Sequence, residues 1–200
     1  MNSTNRGAGD ADVLAALRQA TASRHAALDA GLPLSAEAAS LADYVSHLIL
    51  LRDWLAPLQA WLAGGDAGLP GADRLALIAA DLSHPSLHGL VPPGAQPGGR
   101  QWPALASAAY RWGVCYVIEG SQLGGTVLYQ RLRERLAPHP LSYLRGAPEG
   151  PGPRWRAFLQ ALRENVRSGA EIGEACAGAC DAFDAMLALA FAEASADSVV

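Results

Sequence analysis

The stretch that most limits how this chain can fold is Tyr116-Val117-Ile118-Glu119-Gly120-Ser121-Gln122-Leu123-Gly124-Gly125-Thr126-Val127-Leu128-Tyr129. It lies within Trp102 to Ala137, where the apolar spacing reads as one continuous helix. Each glycine inside a helix costs about 1 kcal/mol relative to alanine. Three of them between positions 120 and 125 therefore call for a bare backbone, either at a bend or where another surface comes close. Gly120 and Gly124 are one turn apart and share a face, which makes a smooth strip shaped for something flat. Close packing of one helix on another explains the same glycines, and this stretch alone does not separate the two readings.

A chain of 200 residues, half of them hydrophobic, is long enough for one domain with a substantial core. No apolar run approaches the roughly 18 residues that span a bilayer, so no membrane association is expected. Met1 to Asp10 is polar and Gly-rich and has no apolar core of a signal peptide; it reads as a disordered arm ahead of a domain over 11–195. The 3 cysteines are an odd number, which fits reduced thiols in a cytoplasmic protein. A formal charge of -4 gives no electrostatic footprint for nucleic acid.

Helical periodicity recurs along the chain, and no strand pattern is convincing. Val13, Leu14, Leu17, Ala20, Ala27 and Leu28 define a first helix, started near Asp10 or Asp12 and ended by Gly31 and Pro33. Ser40-Leu41-Ala42-Asp43 is a capping-box-like start to a long core helix that contains Pro57 and ends at Gly64-Gly65. A short helix follows over Ala72 to Leu82, then a Pro/Gly-rich loop from Ser83 to Gln101. Beyond the glycine-bearing helix, His139 to Pro153 forms another connection. Helices around Trp155 to Val166 and over Ile172 to Ala194 complete the chain. The expected architecture is a single all-α domain of about six or seven helices.

Candidate ligands are few. Arg18, His25 and Asp29 lie along one side of the first helix, with Asp29 one turn beyond His25. A carboxylate there fixes the imidazole tautomer, as metal-ligating histidines require. The same spacing occurs in solvent-facing His–Asp pairs. His47 has no carboxylate partner in sequence and reads as packing or surface. His84 and His88 flank Pro85, which breaks the helix that would bring them together, and Cys176 and Cys180 have neither redox nor zinc spacing. Arg131, Arg133 and Arg135 suit a helix C-terminus. A histidine-bearing helix, a smooth glycine-notched helix and a few arginines are what a porphyrin needs, since it is flat, apolar on both faces and ended by carboxylates.

The sequence also resembles a known family. Leu17 to Asp29 is similar to the proximal-helix signature of heme oxygenases, and Glu119-Gly120-Ser121-Gln122-Leu123-Gly124-Gly125 to their distal-helix signature. Leu32-Pro33-Leu34 brings the likeness nearest to the bacterial branch associated with phytochromes. The resemblance implies a heme oxygenase-like helical fold, with heme sandwiched between a proximal and a kinked distal helix.

By the same resemblance His25 is the axial iron ligand and Asp29 its supporting carboxylate. Gly120, Ser121 and Gly124 take the catalytic distal positions, and Tyr116 and Gly125 flank the cofactor. Arg18 and Arg163 fall near the heme propionates. The animal enzymes carry an aspartate where this chain has Ser121, while bacterial relatives share the serine; Ser121 and Gln122 are the candidates for holding distal water. The implied reaction opens heme, as both substrate and cofactor, to biliverdin, carbon monoxide and ferrous iron. It uses O2 and electrons from a donor protein such as ferredoxin, and its bilin would go to a bacterial phytochrome. A non-catalytic heme carrier of the same fold is the alternative.

Overall fold

The computed structural model describes residues 12–65, 67–68, 73–90 and 100–196, the last five as backbone only. The expected N-terminal arm, and positions 91–99 of the Pro/Gly-rich loop, lie outside the described residues. The described residues form seven α-helices and two short 3-10 turns, with no strand among them.

Helix α1 (Val13–Gly31) begins where Asp12 accepts a hydrogen bond from the Leu14 amide. The Ser40–Asp43 capping box opens α2 (Leu41–Leu62), which carries Pro57 in its interior. Asp73 caps α3 (Arg74–Leu82) through the Ala76 amide. The glycine-bearing helix α4 (Ala108–Leu132) starts later than its periodicity predicts, because Ser107 caps it through the Tyr110 amide and Pro103 keeps Trp102 from helical geometry. From Ala108 the helix runs unbroken through Gly120, Gly124 and Gly125. A four-residue helix α5 (Ser142–Arg145) lies inside the connection after α4. It is followed by α6 (Gly152–Asn165), which has a proline in its first turn, and α7 (Gly169–Ala196).

Helix α7 is the packing centre, lying against α1, α2 and α4. Its backbone touches that of α4: a Cβ added at Gly113 would fall 1.8 Å from the Ala175 carbonyl oxygen, and one at Gly178 would fall 2.1 Å from that of Tyr110. The core closes around Leu17, Tyr44, Leu48, Trp54, Leu58 and Phe158, all almost fully buried. Polar ties also set α7 against its neighbours. The Trp54 Nε1–H donates to the Ala182 carbonyl at 2.9 Å, and Arg24 grips Asp184 with both arms at 2.7 and 2.9 Å, one residue before His25.

A second tie places α5. The N-cap position of this helix is Leu141, which has no side chain able to accept a hydrogen bond. Asp81, at the end of α3 and 1% exposed, does that work from a distance. It accepts from the Ser142 amide at 3.0 Å, the Tyr143 amide at 2.8 Å and the Tyr44 hydroxyl at 2.6 Å. His139 completes the arrangement: its Nδ1 accepts from the Leu141 amide and its Nε2–H donates to the Asp81 carbonyl.

Candidate functional site

A cavity of about 380 Å³ lies between α1 and α4, within the size range of small-molecule sites. From α1 it receives Arg18, Thr21, His25, Leu28 and Asp29; from α4 it receives Tyr116, Gly120, Ser121, Gly124 and Gly125. The two features singled out from sequence thus face the same space. His47 and Leu51 of α2, Tyr143 of α5, Trp155 of α6, and Phe183 and Met186 of α7 complete the wall.

His25 Nδ1 lies 2.9 Å from Asp29 Oδ2, and both side chains are mostly exposed, at 65% and 70%. The carboxylate accepts from Nδ1–H, which fixes the tautomer and leaves Nε2 with its lone pair available. Phe183 supports the ring at a centroid distance of 6.0 Å.

The glycines divide into two classes. Gly113, not among those singled out in sequence, is the one that lets α4 meet α7. A Cβ at Gly124 would meet nothing within 4 Å, and one at Gly120 would approach only the Trp155 ring, at 3.8 Å. Helix packing therefore accounts for Gly113 and not for Gly120 or Gly124, whose bare faces open on the cavity. Gly125 borders both environments, its added Cβ making an ordinary contact with Leu144 at 3.7 Å.

Polar groups sit around this apolar strip. Burial raises the Tyr116 phenol above its ordinary value, and a hydrogen bond and charge from Arg18 act in the opposite direction. The Ser121 hydroxyl donates to the Ile118 carbonyl at 2.8 Å, and Gln122 Nε2–H donates to the Tyr143 hydroxyl at 2.9 Å. Tyr143 carries no ligand signal in sequence; only its tether through Asp81 brings it to the cavity.

His47, read from sequence as packing or surface, faces inward. It lies on the α2 side that carries Tyr44 and Leu51, and it lines the cavity with Nδ1 shielded from solvent and unpartnered. Burial lowers its pKa to about 4. Its spacing of three and four from Tyr44 and Leu51 is the signal that would have placed it on the inward face.

Arg163 is not brought to this cavity. Helix α6 buries Phe158 and Leu162, which turns Arg163 toward the start of α1, where its Nε lies 3.8 Å from Asp12 Oδ1. The residue that α6 contributes to the cavity is Trp155.

Glu119, inside the glycine motif, faces elsewhere. It is 7% exposed and paired with two arginines, Arg74 at 2.8 Å and Arg154 at 2.7 Å. All three line a second cavity of about 340 Å³ that Gln122 also borders.

Among the described residues there is no group of three or more His, Cys, Asp or Glu able to hold a metal ion. His25 alone suits an iron that brings the rest of its ligands with it, as heme does. A free imidazole nitrogen, an opposing strip without side chains and a nearby guanidinium on Arg18 fit that group. Among the described residues no helix is long and apolar enough to cross a membrane.

The arrangement defines an all-helical protein with a histidine-bearing helix and a glycine-faced helix on opposite sides of one cavity. Its fold is that of the NO- and CO-bound heme oxygenase from Neisseria meningitidis: the structures superpose with a TM-score of 0.64 over 91% of this chain and 92% of that one, at 19% identity. In sequence, the chain is 46% identical over 79 residues to a heme oxygenase from Xanthomonas campestris pv. campestris (strain 8004). That match takes in 38% of this chain and 47% of the relative, so the chain spans about half the length of the curated relative it matches. No protein-family model matches it. The chain thus shares its fold with one heme oxygenase and a 79-residue stretch of similar sequence with another.

Proposed function

We propose that the chain is a heme oxygenase that binds heme in the α1–α4 cavity, with His25 Nε2 as the iron ligand. The reaction is the oxidative opening of heme to biliverdin, carbon monoxide and ferrous iron, using O2 and electrons from an external donor such as ferredoxin. One observation carries this reading: His25, its Nδ1 tied to Asp29, lines the same cavity as Gly120 and Gly124, whose bare faces meet no neighbouring backbone. The kinship with heme oxygenases supports it.

Bound heme supplies both the iron that engages O2 and the ring that is opened. The protein's own residues do the rest. Asp29 keeps the His25 proton on Nδ1 and so aims Nε2 into the cavity. Arg18 would hold a propionate through its guanidinium and so orient bound heme. Gly120 and Gly124 would keep the wall facing α1 free of side chains, leaving room for heme and O2. Ser121 lines the same side and supplies a hydroxyl for water. The likeness of Leu32-Pro33-Leu34 to the phytochrome-associated branch supports a bacterial phytochrome as the recipient of the bilin.

Hemin titration of the purified protein tests the binding half of this reading, and addition of ascorbate tests the chemical half. His25→Ala should abolish or strongly shift the Soret band; an unchanged spectrum would remove His25 as ligand. Heme that binds but stays intact under reductant and air would leave a carrier in place of an enzyme.

A further inference from the structure

The cavity holds one polar group that neither the glycine motif nor the histidine helix supplies. Tyr143 is 3% exposed and lines the cavity on the side of Ser121. Its ring is held at both ends. The backbone is fixed by Asp81, which accepts from the Tyr143 amide at 2.8 Å, and the hydroxyl accepts a hydrogen bond from Gln122 Nε2–H at 2.9 Å.

That second bond decides what the hydroxyl can do. A phenol has one proton to give and lone pairs to receive. Gln122 can only donate from Nε2, so it occupies a lone pair and leaves the Tyr143 proton free for another acceptor. Ser121 lines the same cavity, with its own proton given to the Ile118 carbonyl at 2.8 Å. Two hydroxyls are thereby set: Gln122 donates to that of Tyr143, and that of Ser121 donates to the Ile118 carbonyl. Both residues border the cavity that the bare faces of Gly120 and Gly124 also line. Gln122, for its part, lines the second cavity, beyond the reach of a ligand bound in the first.

We propose that the Tyr143 hydroxyl, aimed by Gln122, is the hydrogen-bond donor that the α4 side of the cavity offers to a bound diatomic molecule or water. When such a ligand is present, the phenol proton points to it, while Gln122 keeps the oxygen in place. Tyr143 is the group that touches the ligand; Gln122 and Asp81 are positioning residues. The proposal rests on heme occupying the α1–α4 cavity.

The test uses the heme-loaded protein with carbon monoxide as the probe. Tyr143→Phe keeps the ring and removes the donor. It should raise the C–O stretching frequency of the reduced CO complex and speed O2 dissociation by roughly two- to tenfold, the range that one hydrogen bond commands. Gln122→Leu should broaden or shift the same band while leaving the phenol present, and it serves as the second variant should Tyr143→Phe fold poorly. The wild-type protein must first show a His25-dependent Soret band; its absence would overturn the heme reading and this inference with it. A normal Soret band in wild type and Tyr143→Phe, with identical C–O stretch and O2 dissociation in both, would overturn the role of Tyr143 alone.

Discussion

Replacing glycines of α4 one at a time by alanine should separate those that serve the fold from those that serve the cavity. At Gly124 the new methyl meets nothing within 4 Å, so the change removes a helix defect without a clash. The apo protein should gain up to about 1 kcal/mol, which for a chain of this size raises Tm by about 2–4 °C. At Gly113 the new methyl would sit 1.8 Å from the Ala175 carbonyl oxygen. A carbon–oxygen contact needs roughly 3.3 Å, so α4 and α7 would have to part by about 1.5 Å along their main interface. Overpacking of this kind costs about 1–3 kcal/mol or more, and Tm should fall by roughly 2–12 °C. Hemin affinity should move in the opposite sense. Gly124→Ala places its methyl in the space where the ring would lie and should weaken binding about 5- to 100-fold, while a folded Gly113→Ala should bind nearly as the parent does. Thermal unfolding by far-ultraviolet circular dichroism and hemin titration measure the two effects. The reasoning fails if Gly124→Ala destabilises the apo protein as much as Gly113→Ala, or if it binds hemin like the parent.

Asp81→Asn should lower stability by about 2–4 kcal/mol in urea unfolding, because an amide cannot match the carboxylate that accepts from Tyr44, Ser142 and Tyr143. Glu119→Ala strands the Arg74 guanidinium, whose side chain is only 6% exposed, and should cost about 3–5 kcal/mol. By contrast, Asp184→Ala breaks a pair whose side chains are 31% and 41% exposed and should cost about 1 kcal/mol or less. His47 has a folded pKa of about 4, below the ordinary value of 6.5, so the unfolded chain takes up the proton first. Stability should therefore be unaffected by His47 above pH 6.5 and fall as pH drops toward 4, by at most about 3 kcal/mol. His47→Leu should flatten that part of the stability curve; an unchanged slope between the two proteins would refute the assignment.

Much of the architecture was legible because local signals agree with it. The Ser40–Asp43 capping box starts α2 where the sequence puts it, and the apolar periodicity of α1 ends at Gly31 as expected. Helix α7 begins at Gly169, ahead of the expected Ile172, because Glu171 accepts from the Ser168 amide while Ser168 Oγ accepts from the Glu171 amide. That capping box is present in the sequence and would have given the start. Helix α5 had no such local signal: its amides are satisfied by Asp81, about sixty residues earlier, which only tertiary structure brings near.

The candidate site shows the same division. His25, Asp29, Arg18 and the distal glycines share helical faces, so spacing predicts their grouping within each helix. That α1 and α4 oppose each other follows from both packing on α7, and nothing in either motif says so. Tyr143 reaches the cavity through a long-range contact with Asp81, whereas the place of His47 on the inward face of α2 follows from its spacing to Tyr44 and Leu51. Arg163 is carried away from it by the way Phe158 and Leu162 turn α6 into the core. The glycine strip, compatible in sequence with packing and with a ligand, is set apart by its neighbours: Gly124 meets open space, whereas Gly113, outside the strip, meets the backbone of α7.

Hemin titration followed by ascorbate under air tests the central claim most directly, with product identified by absorbance and chromatography. A Soret band that depends on His25 and then gives way to biliverdin is the predicted result. Hemin that fails to bind, or that binds equally well to His25→Ala, would contradict it.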